Sequence, residues 1–245
     1  MKKVVFITGC LVFLLSCKKE ENRTCFKSTG DHVTVDFPLD SFLEMYLWQN
    51  LSYNLVPDTA NFVRVTGGEN LVRHLGYYYA GNTLHLANEN KCNFLRSYDT
   101  KIHVEIHYKQ LQRIEYIGSD SLTNQFPVSG EYFNLFVNKG SGSVRLNINT
   151  TYSNASVVEG VGDYTFIGTV GYAHFQVHDN GYADVSGLKV TGALEITSSS
   201  QGIIQCNADN IPLKVTIEGP GDVWCYGTPS ELEVIKSGDG NLVFK

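Results

Sequence analysis

From residue 131 to the C-terminus, apolar and polar positions alternate, and glycine-containing turns interrupt the alternation at a nearly constant interval. The turns are Gly140-Ser141-Gly142, Gly160-Val161-Gly162, Asp179-Asn180-Gly181, Ser200-Gln201-Gly202, Gly219-Pro220-Gly221 and Gly238-Asp239-Gly240, so their last glycines stand at positions 142, 162, 181, 202, 221 and 240. Before them run the apolar pairs Leu135 and Val137, Ala155 and Val157, Phe175 and Val177, Leu194 and Ile196, Val215 and Ile217, and Leu232 and Val234. Two and four positions past the last glycine stand Val144 and Leu146, Tyr164 and Phe166, Ala183 and Val185, Ile204 and Cys206, Val223 and Cys225, and Leu242 and Phe244. A period of two marks strands with one buried face. Each repeat therefore predicts a strand, a tight turn and a second strand, with glycine in the turn for its tolerance of positive φ.

One such repeat cannot bury its apolar face alone, so successive repeats must stack around a shared interior. The prediction is an all-β, single-domain parallel β-helix, flattened, with about 20 residues per rung. No fixed asparagine or helical segment of a leucine-rich horseshoe is present. Residues 31–130 are also strand-rich, with alternation at Val33, Val35 and Phe37, at Val63 and Val65, at Leu84 and Leu86, and at Ile102, Val104 and Ile106, but their repeat has decayed. With no Pro-, Gly- or Ser-rich linker before residues 131–245, they read as irregular first rungs of the same core. Residues 68–75 predict one short helix that closes the end of the solenoid, where bare strand edges invite aggregation.

The N-terminus changes the picture from a fold to a location. Lys2 and Lys3 precede an apolar run from Val4 to Leu15, too short to span a membrane and suited to an export signal. It ends in Leu14-Leu15-Ser16-Cys17, which resembles the lipobox of bacterial lipoproteins. Residues 1–16 are accordingly expected to be a signal peptide and residues 17–30 a tether lipidated on Cys17. Several acyl chains on one cysteine give stable anchoring where one chain is marginal. The run Lys18-Lys19-Glu20-Glu21-Asn22 reads either as a solvated tether or as a signal for surface export, so an outer-membrane lipoprotein displayed on the cell is expected. Loss of Lys2 and Lys3 takes the formal charge from -6 to -8, which argues against nucleic acid or an anionic membrane as a partner because both need clustered Lys and Arg. The remaining partners are the membrane, through the lipid, and a glycan or a protein.

Cys25, Cys92, Cys206 and Cys225 remain once Cys10 leaves with the signal and Cys17 carries lipid, and none has CxxC spacing. An oxidising envelope permits a Cys25–Cys92 disulfide, whereas Cys206 and Cys225, at the same position past their glycines, are expected to stack as free interior thiols.

With these residues in place, a resemblance can be named. Gly67-Gly68-Glu69-Asn70-Leu71, Asn90-Lys91-Cys92-Asn93-Phe94-Leu95-Arg96-Ser97 and the GxG turns ending in Gly238-Asp239-Gly240-Asn241-Leu242-Val243 resemble the head GIN domain family, a domain of unknown function regarded as an adhesin. The resemblance covers nearly the whole mature chain. It implies a pectate-lyase-like β-helix on a lipoprotein of a Gram-negative anaerobe, with adhesion as its role and no catalytic residues to carry over. The turns at Asp179-Asn180-Gly181 and Ser200-Gln201-Gly202 depart from its GxG pattern.

Chemistry sought independently is sparse. There is no GxSxG elbow, P-loop, GxGxxG or HExxH. A polysaccharide lyase would need grouped acids and a basic residue, but the six Lys or Arg between Phe133 and the C-terminus have no acid cluster beside them. Asp163 and Asp222 each follow a turn glycine and read as turn-stabilising groups. His103, Glu105 and His107 share the outward face of a strand, where they are either weak metal candidates or a plain solvated face. Neither cofactor nor catalysis is expected. Trp48 and the run Tyr77, Tyr78 and Tyr79 are the candidate binding residues, since aromatics with a polar tip stack on sugars and dominate protein interfaces. A surface adhesin or scaffold and a carbohydrate-binding or polysaccharide-processing module are the two functions these features predict.

Overall fold

A computed structural model describes residues 29–90 and 102–245. Cys17, the tether up to residue 28 with Cys25, and Cys92 lie outside the described residues. The described residues form a β-solenoid of about seven turns, 69% of them in strands and 2% in helix.

The regular part starts at β10 (Val128–Gly140), β11 (Ser143–Gly160), β12 (Asp163–Asp179) and β13 (Tyr182–Val185). It continues through β14 (Leu188–Ser200), β15 (Ile204–Asn207), β16 (Pro212–Ile217), β17 (Val223–Tyr226), β18 (Glu231–Lys236) and β19 (Leu242–Phe244). Pairing is parallel and follows the glycine period: Leu135 opposes Ala155, Ala155 opposes Phe175, Phe175 opposes Ile196 and Ile196 opposes Val215. These inward residues are buried in one continuous core, with Phe133, Tyr164, Phe166 and Phe175 as its bulk. Tyr164 keeps a polar tip inside by donating to the Ala155 and Gln176 carbonyls at 3.4 and 3.3 Å.

The cross-section has three sides where two were expected. Residues between the two predicted strands pair as well, with Ile148 opposite Gly168 and Gly168 opposite Leu188, so β10, β11 and β12 each run through a corner. This third side ends at Val190, and the rungs beyond it, from Ile196 to Val215 and from Val215 to Val234, are slightly shorter than those before.

The turn glycines are explained by crowding more than by φ. Among the glycines of the six turns only Gly160 has a positive φ, of 106°, and in the third turn it is Asp179, at 55°, that takes the left-handed conformation and not Gly181. A Cβ on Gly202, Gly221 or Gly240 would instead lie 1.9–2.1 Å from a carbonyl oxygen of the turn one rung below. Each turn hangs on its predecessor through backbone bonds such as Gly221 N to Ser200 O at 2.8 Å and Gly240 N to Gly219 O at 3.0 Å. Asp163 and Asp222 likewise bridge rungs where turn-internal bonds were expected. Asp163 accepts from Ser143 Oγ at 2.5 Å and Asp222 from the Asn241 amide at 2.8 Å.

The first half stacks out of chain order. It comprises β1 (His32–Pro38), β2 (Glu44–Gln49), β3 (Ser52–Pro57), β4 (Phe62–Gly68), α1 (Glu69–Val72), β5 (Leu75–Ala80), β6 (Thr83–Asn88), β7 (His103–Tyr108), β8 (Arg113–Gly118) and β9 (Ser121–Asn124). The rung β2–β3 lies between β6–β7 on one side and β8–β9 on the other, all in parallel. β8 then joins β10, and β9 joins β11. The N-terminal end is closed by antiparallel strands, β4 on β7, β1 on β4 and β5 on β6, which end the parallel stack. The helix is shorter than the predicted residues 68–75, but it buries Leu71 and Val72 at this end as expected. At the other end, Leu232, Val234 and Phe244, in register with core residues of the preceding rung, are exposed.

Candidate functional site

Two outward aromatic groups lie on the wall that contains β2, β8 and the C-terminal halves of β10, β11 and β12. The first contains two of the predicted binding residues. Met45 and Leu47 point into the core, so Tyr46 and Trp48 point out, and the parallel neighbour of Tyr46 is His85. Tyr78 stacks on His85 with centroids 4.4 Å apart, His85 leans on Tyr46 at 4.9 Å, and Trp48 meets Tyr46 edge-on at 5.5 Å. Tyr77 and Tyr79 face the other way. The Tyr79 hydroxyl accepts from the Asp40 amide at 2.9 Å, and its ring packs on the core. Burial raises the phenol pKa of both Tyr46 and Tyr79. In this patch Tyr46, Trp48 and His85 partly cover one another, while Tyr78 stays 51% exposed.

The second group was missed by the search for aromatics, although the glycine period carries it. Tyr132, Tyr152 and Tyr172 recur once per rung, oppose one another in register, and are 48%, 39% and 52% exposed. Their rings are nearly parallel, with centroids 5.2 and 5.5 Å apart and interplanar angles of 14° and 18°. Parallel rings in full face contact would sit ~3.5–4 Å apart, and coplanar rings at these separations would collide. The rings are therefore slipped like roof tiles, and each shows part of a face to solvent.

The tyrosine ridge stops where Ala193 takes the next position, with Pro212 one rung further on. A Cβ on Gly192 would lie 2.8 Å from Tyr172 Cε1, so the glycine leaves room for that ring. Beside and beyond the ridge runs an open groove of about 560 Å³. Its polar lining includes Asn154, His174, Glu195, Lys214, Glu231 and Glu233. Lys214 reaches Glu195 at 3.7 Å. His174 is bonded to Thr197 at 3.1 Å and Gln176 at 3.2 Å, and burial lowers its pKa. The groove offers aromatic faces, hydroxyls, amides and a net negative charge.

His103, Glu105 and His107 do face outward from β7, but His107 is not solvated. Phe62 of β4 stacks on its ring at 3.8 Å and Asp58 bonds its Nδ1 at 2.8 Å. That bond to His107 is the main cause holding the Asp58 carboxyl below its usual range. His107 Nε2 is 3.9 Å from Glu105, while His103 stays exposed, and no group of three metal-ligating residues occurs among the described residues. Cys206 and Cys225 are register neighbours on β15 and β17, both free and fully buried. Hydrogen bonding to Cys225 and burial push the Cys206 thiol up, so it stays protonated.

The fold recurs in solved structures. A protein from Bacteroides fragilis NCTC 9343 described as a "putative adhesin" is similar at a TM-score of 0.77 and 20% identity, over 88% of this chain and 97% of that one. A "putative lipid binding protein" from Parabacteroides distasonis ATCC 8503 has a TM-score of 0.62 at 21% identity, over 87% and 97%. A "putative adhesin" from Parabacteroides merdae ATCC 43184 has 0.59 at 18%, over 88% and 97%. No curated protein matches the chain. The family model described as "Putative auto-transporter adhesin, head GIN domain" matches residues 41–229, and with most of its length so covered the chain belongs to the head GIN domain family.

Proposed function

We propose that this protein is a non-catalytic adhesion module, held by a lipid on Cys17 at the outer membrane and displayed on the cell surface. The observation that carries the reading is the tyrosine ridge with its groove, an exposed and regularly spaced contact surface on a rigid wall. Rows of side chains at fixed spacing suit extended or repetitive partners. Catalysis instead needs acid, base and stabilising groups within reach of one bond. The family's adhesin description and the lipobox-like Leu14-Leu15-Ser16-Cys17 support the same reading.

The test is made on cells. Protease added to intact bacteria is expected to digest the protein, and Cys17→Ala to release it from the membrane fraction. Cells lacking the gene are expected to attach less well to host matrix or to other bacteria, with attachment restored by the intact gene and not by the Cys17→Ala form. Protection from protease until lysis, or unchanged attachment, refutes surface adhesion. Metal- or pH-dependent cleavage of a polysaccharide by the pure protein would make it an enzyme.

A further inference from the structure

We infer that the ridge of Tyr132, Tyr152 and Tyr172, with the groove beyond it, binds a neutral, extended polysaccharide of β-1,4-linked type lying along the solenoid axis. The inference rests on the adhesion reading above and specifies its ligand.

Three properties of the site select this ligand. The first is the repeat. Parallel rungs set the tyrosines 5.2 and 5.5 Å apart, close to the advance of one pyranose along an extended β-1,4-linked chain. Successive sugars can therefore meet successive rings in phase. An extended peptide repeats its side chains on one face only every ~6.6–6.8 Å, and would be out of step by the third ring.

The second property is the surface presented. Each slipped ring exposes part of a face, which fits the apolar C–H side of a pyranose, and each ends in a hydroxyl that can both donate and accept. Beyond Tyr172 the small Ala193 and Pro212 lower the floor. The chain can descend there beside Asn154 and Lys214, whose amide and ammonium groups can bond sugar hydroxyls.

The third property is charge. Glu195, Glu231 and Glu233 line the groove against Lys214, which is already close to Glu195, and Glu131 lies beside Tyr132. Burial keeps His174 neutral at neutral pH. Uronates, sulfated glycans and nucleic acid would meet like charge. A neutral sugar chain would not.

The experiment is a calorimetric titration of the purified protein with β-1,4-linked glucose oligomers of two to six units, alongside an oligomer of uronic acid. Saturable binding is expected to tighten with length until the three rings are covered and then to level off, with the uronate oligomer weaker by roughly tenfold or more. Tyr152→Ala, which removes the middle ring, is expected to cost about tenfold, the factor that corresponds to one good aromatic contact. Tyr152→Phe keeps the face and should stay within a few-fold of the parent protein. Tyr182→Ala, at an exposed tyrosine outside the ridge, should change nothing, and circular dichroism of each variant confirms that it is folded.

Absence of binding by every neutral oligomer, or binding indifferent to both length and Tyr152→Ala, overturns the inference. If cell attachment requires Tyr152 while no neutral oligomer binds, the ridge contacts a partner other than a neutral β-1,4-linked chain. The adhesion reading then survives and the glycan assignment falls. If oligomers bind but cells lacking the gene attach normally, the glycan site stands and the adhesion reading falls.

Discussion

The close approach of stacked turns makes a sharp prediction for Gly221→Ala. Gly221 is buried, and a Cβ there would lie 2.1 Å from the Gly202 carbonyl oxygen and 2.7 Å from that of Ser200. Both neighbours are backbone, so the turn must lift by about 1 Å to restore ordinary contact. That lift would stretch the bond from Gly221 N to Ser200 O, now 2.8 Å, beyond bonding distance, and would strain the bond from Ile204 N to Asp222 O at 3.2 Å. Leaving one buried donor unpaired costs about 1–3 kcal/mol, and weakening a second bond about 0.5–1.5 kcal/mol. The smaller entropy of the unfolded alanine chain returns about 0.4–1 kcal/mol. The expected net loss is about 2–3 kcal/mol. Gly130→Ala is the control, because that exposed strand glycine has ordinary φ and its nearest atom would be 4.0 Å from the new Cβ. It should leave stability unchanged or raise it by up to about 1 kcal/mol. Urea unfolding followed by circular dichroism and by tyrosine fluorescence measures both. With a slope of about 1–3 kcal/mol/M, Gly221→Ala should lower the midpoint by about 1–2 M. Equal midpoints for the two variants would refute the crowding argument and return the turn glycines to a purely conformational role.

Two further outcomes follow from groups inside the wall. Ser198 is fully buried in line with Val177 and Ile217, and its hydroxyl has no partner; Ser198→Ala should therefore raise stability by about 1 kcal/mol in the same urea assay, and a loss would show that the hydroxyl is bonded. Burial holds the His174 imidazole below its ordinary pKa of about 6.5. The group then adds no pH dependence above that value, and it subtracts stability as pH falls below it towards the folded-state pKa. His174→Gln should reduce the fall in thermal midpoint between pH 7.5 and pH 5, and an unchanged fall would rule out His174 as a source of acid sensitivity.

The sequence by itself determined the regular part of this protein. Turn glycines at a nearly constant interval, with apolar pairs on either side, sufficed for the parallel β-helix, for which residues face inward, and for the stacking of Cys206 on Cys225. These are consequences of two periods, one along the strand and one between rungs, and both are written locally. The tyrosine ridge was equally legible at its interval of one per rung, but it stands on an outward column, and outward columns are not constrained by burial and so do not draw attention to themselves. The reason for glycine in the turns was not legible. A tight turn and a crowded one use the same residue, and only the distance to the rung below separates them. The order of the first rungs was decided by the tertiary structure alone, because β2 finds its partner β8 across a long stretch of chain, from Glu44 to Arg113, while β4 and β5 turn back antiparallel to close the end. Alternation specifies that a strand has a buried face, but not which of several similar edges it will meet. The same holds for His107, whose outward direction follows from alternation and whose burial depends on Phe62 and Asp58, brought over it by the antiparallel pairing of β4 with β7.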